Sequence, residues 1–155
     1  MGLLILTVGR TRQTPLAAAA KDYFDRLGHY TAVEEFAVRE ERSGKGMSPA
    51  DVMRKEGERL LARLKPGCYT IALDRSGAEI SSKVLAEKLE RLARNASETV
   101  LVIGGAFGLD PAVLKRSDWI WSLSTLTYPH ELARVMVLEQ LYRAHTILKR
   151  EPYHK

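Results

Sequence analysis

Short apolar runs alternate with amphipathic stretches along the whole chain. The first run, residues 3–8, is apolar at nearly every position and ends at Gly9, which suits a strand covered on both faces and set inside a sheet. Thr14-Pro15 then opens a helix. The hydroxyl can accept from an unpaired N–H, and the proline loses nothing at a first helical position. Leu16, Ala20, Tyr23, Phe24 and Leu27 share one face of that helix, and Gly28 stops it. Residues 31–38, with Val33, Phe36 and Val38, predict a less regular strand nearer an edge. Residues 39–46 combine charge with glycine and have no apolar anchor, so they read as a solvated connector, with a phosphate-contacting loop as the alternative.

The same alternation continues. Ser48-Pro49 predicts a second helix through Leu64, stopped by Pro66-Gly67, and residues 69–74 predict a third strand followed by a Ser76-Gly77 turn. A helix from Ser82 precedes a fourth strand, 100–103, which ends on Gly104-Gly105. A short helix at Asp110-Pro111 leads to a fifth strand, 119–123, and a last helix, 130–149. Strands and helices in this order define α/β layering around a largely parallel sheet, and 155 residues fit one domain spanning 1–155. The last helix is apolar on more than one face. It therefore needs cover from more than one neighbour, either a second subunit or the depth of its own domain.

Composition narrows the partners. Lys and Arg number 24 against 19 Asp and Glu, a net charge of +5, which suits a polyanion as well as a merely solvated basic surface. The single cysteine, Cys68, can form no internal disulfide and reads as a small packing residue. Residues 1–8 lack a basic leader and a cleavage site, and no long uncharged apolar run occurs, so the chain is expected to be soluble and cytoplasmic, with no membrane partner. The four histidines lack the spacing of a zinc site, and no metal is expected. The first strand carries no dinucleotide fingerprint, and neither a phosphate loop nor a nucleophile elbow appears anywhere, which weakens oxidoreductase, nucleotidase and hydrolase readings.

In open α/β sheets, ligands sit beyond the carboxyl ends of strands, so the chemistry is sought there. Three strand ends stand out: Leu73-Asp74; Ile103 with Gly104, Gly105, Ala106, Phe107 and Gly108; and Leu123, Ser124, Thr125, Leu126, Thr127, Tyr128, Pro129 and His130. Glycines there let a ligand approach the backbone, although any one of them can be a plain turn residue. Those segments, with residues 131–134, then Glu139-Gln140-Leu141-Tyr142-Arg143-Ala144, and finally Glu151-Pro152-Tyr153-His154-Lys155, resemble the motifs of the ribosomal RNA large-subunit methyltransferase H family over essentially the whole chain.

The resemblance implies a SPOUT fold, a parallel sheet between helices closed by a C-terminal deep trefoil knot. It implies a homodimer whose active sites draw on both subunits, and methylation of N3 of a pseudouridine in 23S ribosomal RNA within the assembled ribosome. The implied donor is S-adenosylmethionine, held by Leu73, Gly104, Gly105 and the backbone of Leu123, Ser124, Thr125, Leu126, Thr127 and Tyr128. The imide proton must be removed, so His130, Arg134, Tyr153 and His154 are the candidate catalytic residues, the tail being either a substrate contact or a solvated end. Arg143, Lys149, Arg150 and Lys155 are candidate RNA contacts, with an Arg143–Glu139 helix pair as the alternative for Arg143. A non-catalytic RNA- or ribosome-binding module on the same fold is the rival reading.

Overall fold

The structure, a computed structural model, describes residues 2–10 and 12–155. Met1, which begins the apolar N-terminal run, lies outside the described residues. Five strands form one all-parallel sheet in the order β2-β1-β4-β3-β5, comprising β1 (Gly2–Val8), β2 (Ala32–Val38), β3 (Tyr69–Glu79), β4 (Glu98–Ile103) and β5 (Trp119–Ser122). Five helices connect them: α1 (Pro15–Leu27), α2 (Pro49–Leu61), α3 (Ser82–Asn95), α4 (Pro111–Arg116) and α5 (His130–Leu148).

Alternation along each strand sorts its side chains to the two faces of the sheet. Leu3, Ile5, Ile71, Leu101 and Ile103 pack with Ala20, Leu27, Leu85, Leu89, Val137, Leu138 and Leu141, so α1, α3 and α5 cover one face. Leu6, Val8, Ala72, Val100 and Val102 pack with Leu60 and Val113 beneath α2 and α4. Burial on both faces is why β1 and β4 are apolar at most positions. Cys68 is buried in the second cluster, as a packing residue.

The N-caps fall where the sequence places them. Thr14 Oγ1 accepts from Ala17 N–H at 3.1 Å, and Ser48 with Asp51 forms a reciprocal capping box. Two expectations are corrected. α2 ends at Leu61, before Leu64, because the chain tightens into i→i+3 turns through Arg63 and Leu64. Ser76-Gly77 is no exit turn: β3 continues to Glu79 through a register shift against β5 between Leu73 and Ala78. Asp74 Oδ1 accepts from Ser76 N–H at 2.9 Å and shapes that irregularity. A Cβ on Gly77 would lie 2.4 Å from the Ile120 carbonyl oxygen, so only glycine lets β3 and β5 approach there.

The topology positions the site. From β1 the chain runs by way of α1 to β2 on one side, and from β4 by way of α4 to β5 on the other. The neighbouring strands β1 and β4 therefore flank a switch point, and their carboxyl ends open where their connections diverge.

Candidate functional site

Because every strand is parallel, all five strand-end segments meet at one edge of the sheet. A cleft of about 560 Å³ opens over the ends of β4, β3 and β5. Leu73, Gly104, Gly105, Leu123, Ser124, Leu126, Thr127 and Tyr128 all line it; Thr125, exposed on the same segment, does not. The structure thus gathers into one concavity residues as far apart in sequence as Leu73 and Tyr128. Its volume is in the range of pockets that take drug-sized ligands, and its walls mix apolar side chains with backbone N–H and C=O groups, which suits a purine with a polar edge.

The glycines are required by geometry. A Cβ on Gly104 would lie 2.7 Å from the Gly108 carbonyl carbon and 3.0 Å from Leu109 N, so a side chain there must push the turn open. Gly108 has φ of +88°, and its N–H closes the turn on the Gly105 carbonyl at 3.1 Å. Behind Gly105 sits Glu56, 3% exposed, with Oε1 accepting from Glu41 N–H at 3.1 Å and Oε2 without a partner among the described residues. Its burial pushes its pKa upward. A Cβ on Gly105 would meet that carboxylate at 2.9 Å.

His130, at the start of α5, lines this cleft and also a smaller crevice over the ends of β1 and β4, formed by Thr7, Gly9, Arg10, Arg12, Gly104 and Arg134 among others. Arg134 faces that crevice and not the larger cleft. Its guanidinium makes a two-pronged pair with Glu35 of β2 at 2.5 and 2.6 Å, with both side chains mostly buried. Among the four candidate catalytic residues, the chain itself brings only these two together.

Tyr153 and His154 lie at the other end of α5. Tyr153 Oη donates to Glu139 Oε1 at 3.0 Å, its ring meets Tyr142 edge-on at 4.7 Å, and the Arg143 guanidinium lies 4.7 Å from its ring centre. His154 Nδ1 is 3.4 Å from Arg143 Nη1. Burial and the hydrogen bonds to Tyr23 and Glu139 push the Tyr153 pKa upward. A hydrogen bond from Tyr30 to Glu151 pins the tail as well, and Tyr30 is pushed up to about 12 by that carboxylate. At 1.5 Å per residue, Arg143 is about 20 Å along α5 from His130, so the tail does not reach the cleft of its own chain.

The candidate RNA cations divide likewise. Arg143 is engaged by Glu139, with Nε donating at 2.9 Å, which is the ion-pair alternative; Lys149, Arg150 and Lys155 are exposed. Sequence reasoning missed the lining residue Arg75 and the whole segment after β1, and gave no role to Phe107 and Ala133, which lie in segments it had singled out and also line the cleft. Gly9 carried the available signal: it ends an apolar run just as Gly104 does, and its φ is +82°. Among the described residues there is no cluster of metal-ligating side chains, and no helix is long and apolar enough to cross a membrane.

A cleft at the carboxyl edge of a parallel sheet, built from the loops after its strands, is where open α/β folds bind their ligands. A family model described as "Predicted SPOUT methyltransferase" matches residues 1–154. A solved probable methylase family protein from Haemophilus influenzae superposes with a TM-score of 0.56 at 14% identity, covering 99% of this chain and 70% of that one, which speaks to the fold alone. Curated proteins named "Ribosomal RNA large subunit methyltransferase H" from Gemmatimonas aurantiaca (42% identical, all of both chains) and Caldicellulosiruptor saccharolyticus (38% identical, 97% of this chain and 98% of that one) are similar throughout. The chain belongs to the SPOUT methyltransferases and, within them, to the ribosomal RNA large-subunit methyltransferase H family.

Proposed function

We propose that the protein transfers a methyl group from S-adenosylmethionine to N3 of a pseudouridine in 23S ribosomal RNA, acting in the cytoplasm on the assembled ribosome as a homodimer. The observation that carries this reading is the convergence of Leu73, Gly104, Gly105, Leu123, Ser124, Leu126, Thr127 and Tyr128 on one cleft. Leu73, Leu123 and Leu126 supply apolar walls, and the tight turn from Gly104 to Gly108 exposes backbone groups without side chains in the way. When bound, the donor supplies an electrophilic sulfonium methyl. A C-terminal trefoil knot belongs to the same reading, since the segment after β5 lies in this cleft beside the segment after β4.

The chain's own residues then have two tasks. The nucleoside imide must lie in line with the methyl carbon, and its N3 proton must leave as the N–C bond forms and the S–C bond breaks. His130, on the cleft wall, is placed to accept or relay that proton. Tyr153 and His154 reach a cleft only in a dimer, where one subunit's tail meets its partner's donor site. The surface of α5 supports this: Leu132 and Met136, one turn apart, are half-exposed and lie outside the core cluster, as uncovered apolar positions at an interface do.

The test is transfer of labelled methyl from S-adenosylmethionine to ribosomes lacking the modification, with free 23S RNA and separated subunits in parallel and the product mapped by mass spectrometry. Incorporation at N3 of one pseudouridine in assembled ribosomes is expected. Gly104→Ala is expected to lower donor affinity at least tenfold, because its Cβ displaces the turn. No incorporation and no donor binding by the native protein would overturn the reading in favour of a non-catalytic binding module.

A further inference from the structure

The sheet edge has a second half that the donor cleft does not use. β1 and β2 end beside β4, and the segments that follow them carry Arg10, Arg12, Arg39 and Arg42, all exposed. These four guanidinium groups line a concavity of about 640 Å³ together with Gly9 and Glu40. The concavity adjoins the donor site by way of the small crevice between them. Gly9, Arg10 and Arg12 are shared with the crevice over β1 and β4, and that crevice shares Gly104 and His130 with the donor cleft. A single trough thus runs along the carboxyl edge, glycine-rich and apolar at one end and arginine-rich at the other.

Three observations separate this arginine group from an ordinary solvated face. Among the described residues, no carboxylate lies within ion-pair distance of any of the four guanidinium groups; scattered arginines such as Arg75, Arg91, Arg116 and Arg150 are unpaired too, but here four stand together on one concavity, whereas Arg26, Arg54, Arg59, Arg94, Arg134 and Arg143 have carboxylate partners. The nearby acids are mostly withdrawn: Glu41 is paired with Arg59, Glu56 is buried behind Gly105, and Glu40 alone remains on the wall of the concavity. The start of the connector is also held in place. Arg59 Nη1 donates to the Arg39 carbonyl at 2.9 Å, and the Glu41 N–H donates to Glu56 at 3.1 Å, so α2 fixes the backbone on both sides of Glu40. The segment that looks like a free connector in sequence is tethered on the wall of the trough.

We infer that Arg10, Arg12, Arg39 and Arg42 form a phosphate track that holds the backbone of the substrate RNA strand as its target base enters the donor cleft. Guanidinium forks match phosphate oxygens in pairs and position a strand without reading its sequence. This supplies a docking surface that lies beside the donor cleft; in this chain the exposed cations after α5 lie about 28 Å along the helix from His130. The inference rests on the ribosomal RNA reading above.

The experiment compares the native protein with Arg10→Ala/Arg12→Ala, Arg39→Ala/Arg42→Ala, the fourfold variant, and a control, Arg91→Ala/Arg94→Ala, on α3 away from the trough. Co-sedimentation with purified 70S ribosomes and with protein-free 23S RNA is measured across a potassium chloride series. S-adenosylmethionine binding by calorimetry and methyl transfer are measured alongside. The expected result for each pair is about a tenfold weaker ribosome affinity and a salt slope shallower by about one to two. The KM for ribosomes rises in proportion, kcat changes less than about threefold, and donor affinity stays within about twofold. Ribosome affinity and salt slope matching those of the control overturn the track, as does a loss seen with intact ribosomes but absent with protein-free RNA, which would mean docking on a ribosomal protein. A native protein that binds RNA through these arginines yet transfers no methyl would refute the enzymatic reading and leave the track standing. Absence of any ribosome or RNA binding by the native protein would refute both.

Discussion

The amino end of α5 opens onto two clefts, whereas its carboxyl end is closed over by its own chain. Both ends carry histidine and an arginine paired with a glutamate. At the amino end, Arg134 reaches across to Glu35 on β2 and leaves His130 facing open space. At the carboxyl end, Arg143 pairs with Glu139 within the same helix, Tyr153 donates to that carboxylate while the Tyr23 hydroxyl lies 3.4 Å from its own, and Tyr30 holds Glu151. The contrast teaches that identical residue types serve different purposes according to what they face. One end presents an open wall that carries His130, and the other holds the tail folded against its own helix.

The sharpest way to break that contrast is to ask which subunit's tail serves which cleft. Tyr153→Phe/His154→Ala is expected to lower methyl transfer by about 100-fold or more, with donor affinity unchanged within about twofold. Mixing that protein with Gly104→Ala protein, itself inactive, should restore activity, since a mixed dimer contains one intact cleft facing one intact tail. If mixed dimers form by native mass spectrometry and stay inactive, the tail serves its own chain and the comparison between the two ends collapses.

Arg134→Ala is expected to have the next largest effect. It leaves the Glu35 carboxylate largely buried and unpaired, which costs roughly 1–3 kcal/mol in urea unfolding. Adding Glu35→Gln should recover part of that loss. If Arg134→Ala lowers transfer only as far as the protein unfolds, Arg134 anchors α5 to β2 and takes no part in proton removal.

The smallest effect concerns His145, near the carboxyl end. Burial holds its pKa below the usual imidazole value, while its Nδ1 lies 2.8 Å from the Leu141 carbonyl. The unfolded chain therefore gains a proton near pH 6.5 that the folded chain still refuses. The stability from keeping His145 neutral is full above that pH and is lost as pH falls from 6.5 towards the depressed folded value. His145→Gln should flatten that part of the stability–pH curve in urea titrations. An unchanged slope would assign the acid sensitivity to other groups, and would remove the claim that this end of the helix is sealed.

Much of the fold was legible because its signals are local. Threonine or serine before proline marks the starts of α1 and α2, and unbroken apolar runs mark β1 and β4 as buried on both faces. β3 was cut short for an equally local reason: Ser76-Gly77 has turn chemistry, and only the close approach of Ile120 shows that the glycine serves strand pairing. At the site, the glycines after β4 and the residues after β5 were found because strand ends are where ligands bind. The same rule applied to β1 and β2, yet Arg10 and Arg12 drew no reading, and Arg39 and Arg42 were read as part of a connector with a phosphate-contacting loop only as the alternative. Their shared trough depends on strand order, and residues 10 and 39 are unrelated until β1 and β2 lie side by side.

The sequence alone therefore determined the order of elements, their caps, the apolar faces and the family motifs, all of which depend on neighbours a few positions away. The tertiary structure decided which strand ends adjoin, which guanidinium groups find a carboxylate, and which end of α5 faces open space. Those outcomes follow from the parallel order β2-β1-β4-β3-β5, a property of contacts between distant segments that local periodicity does not encode.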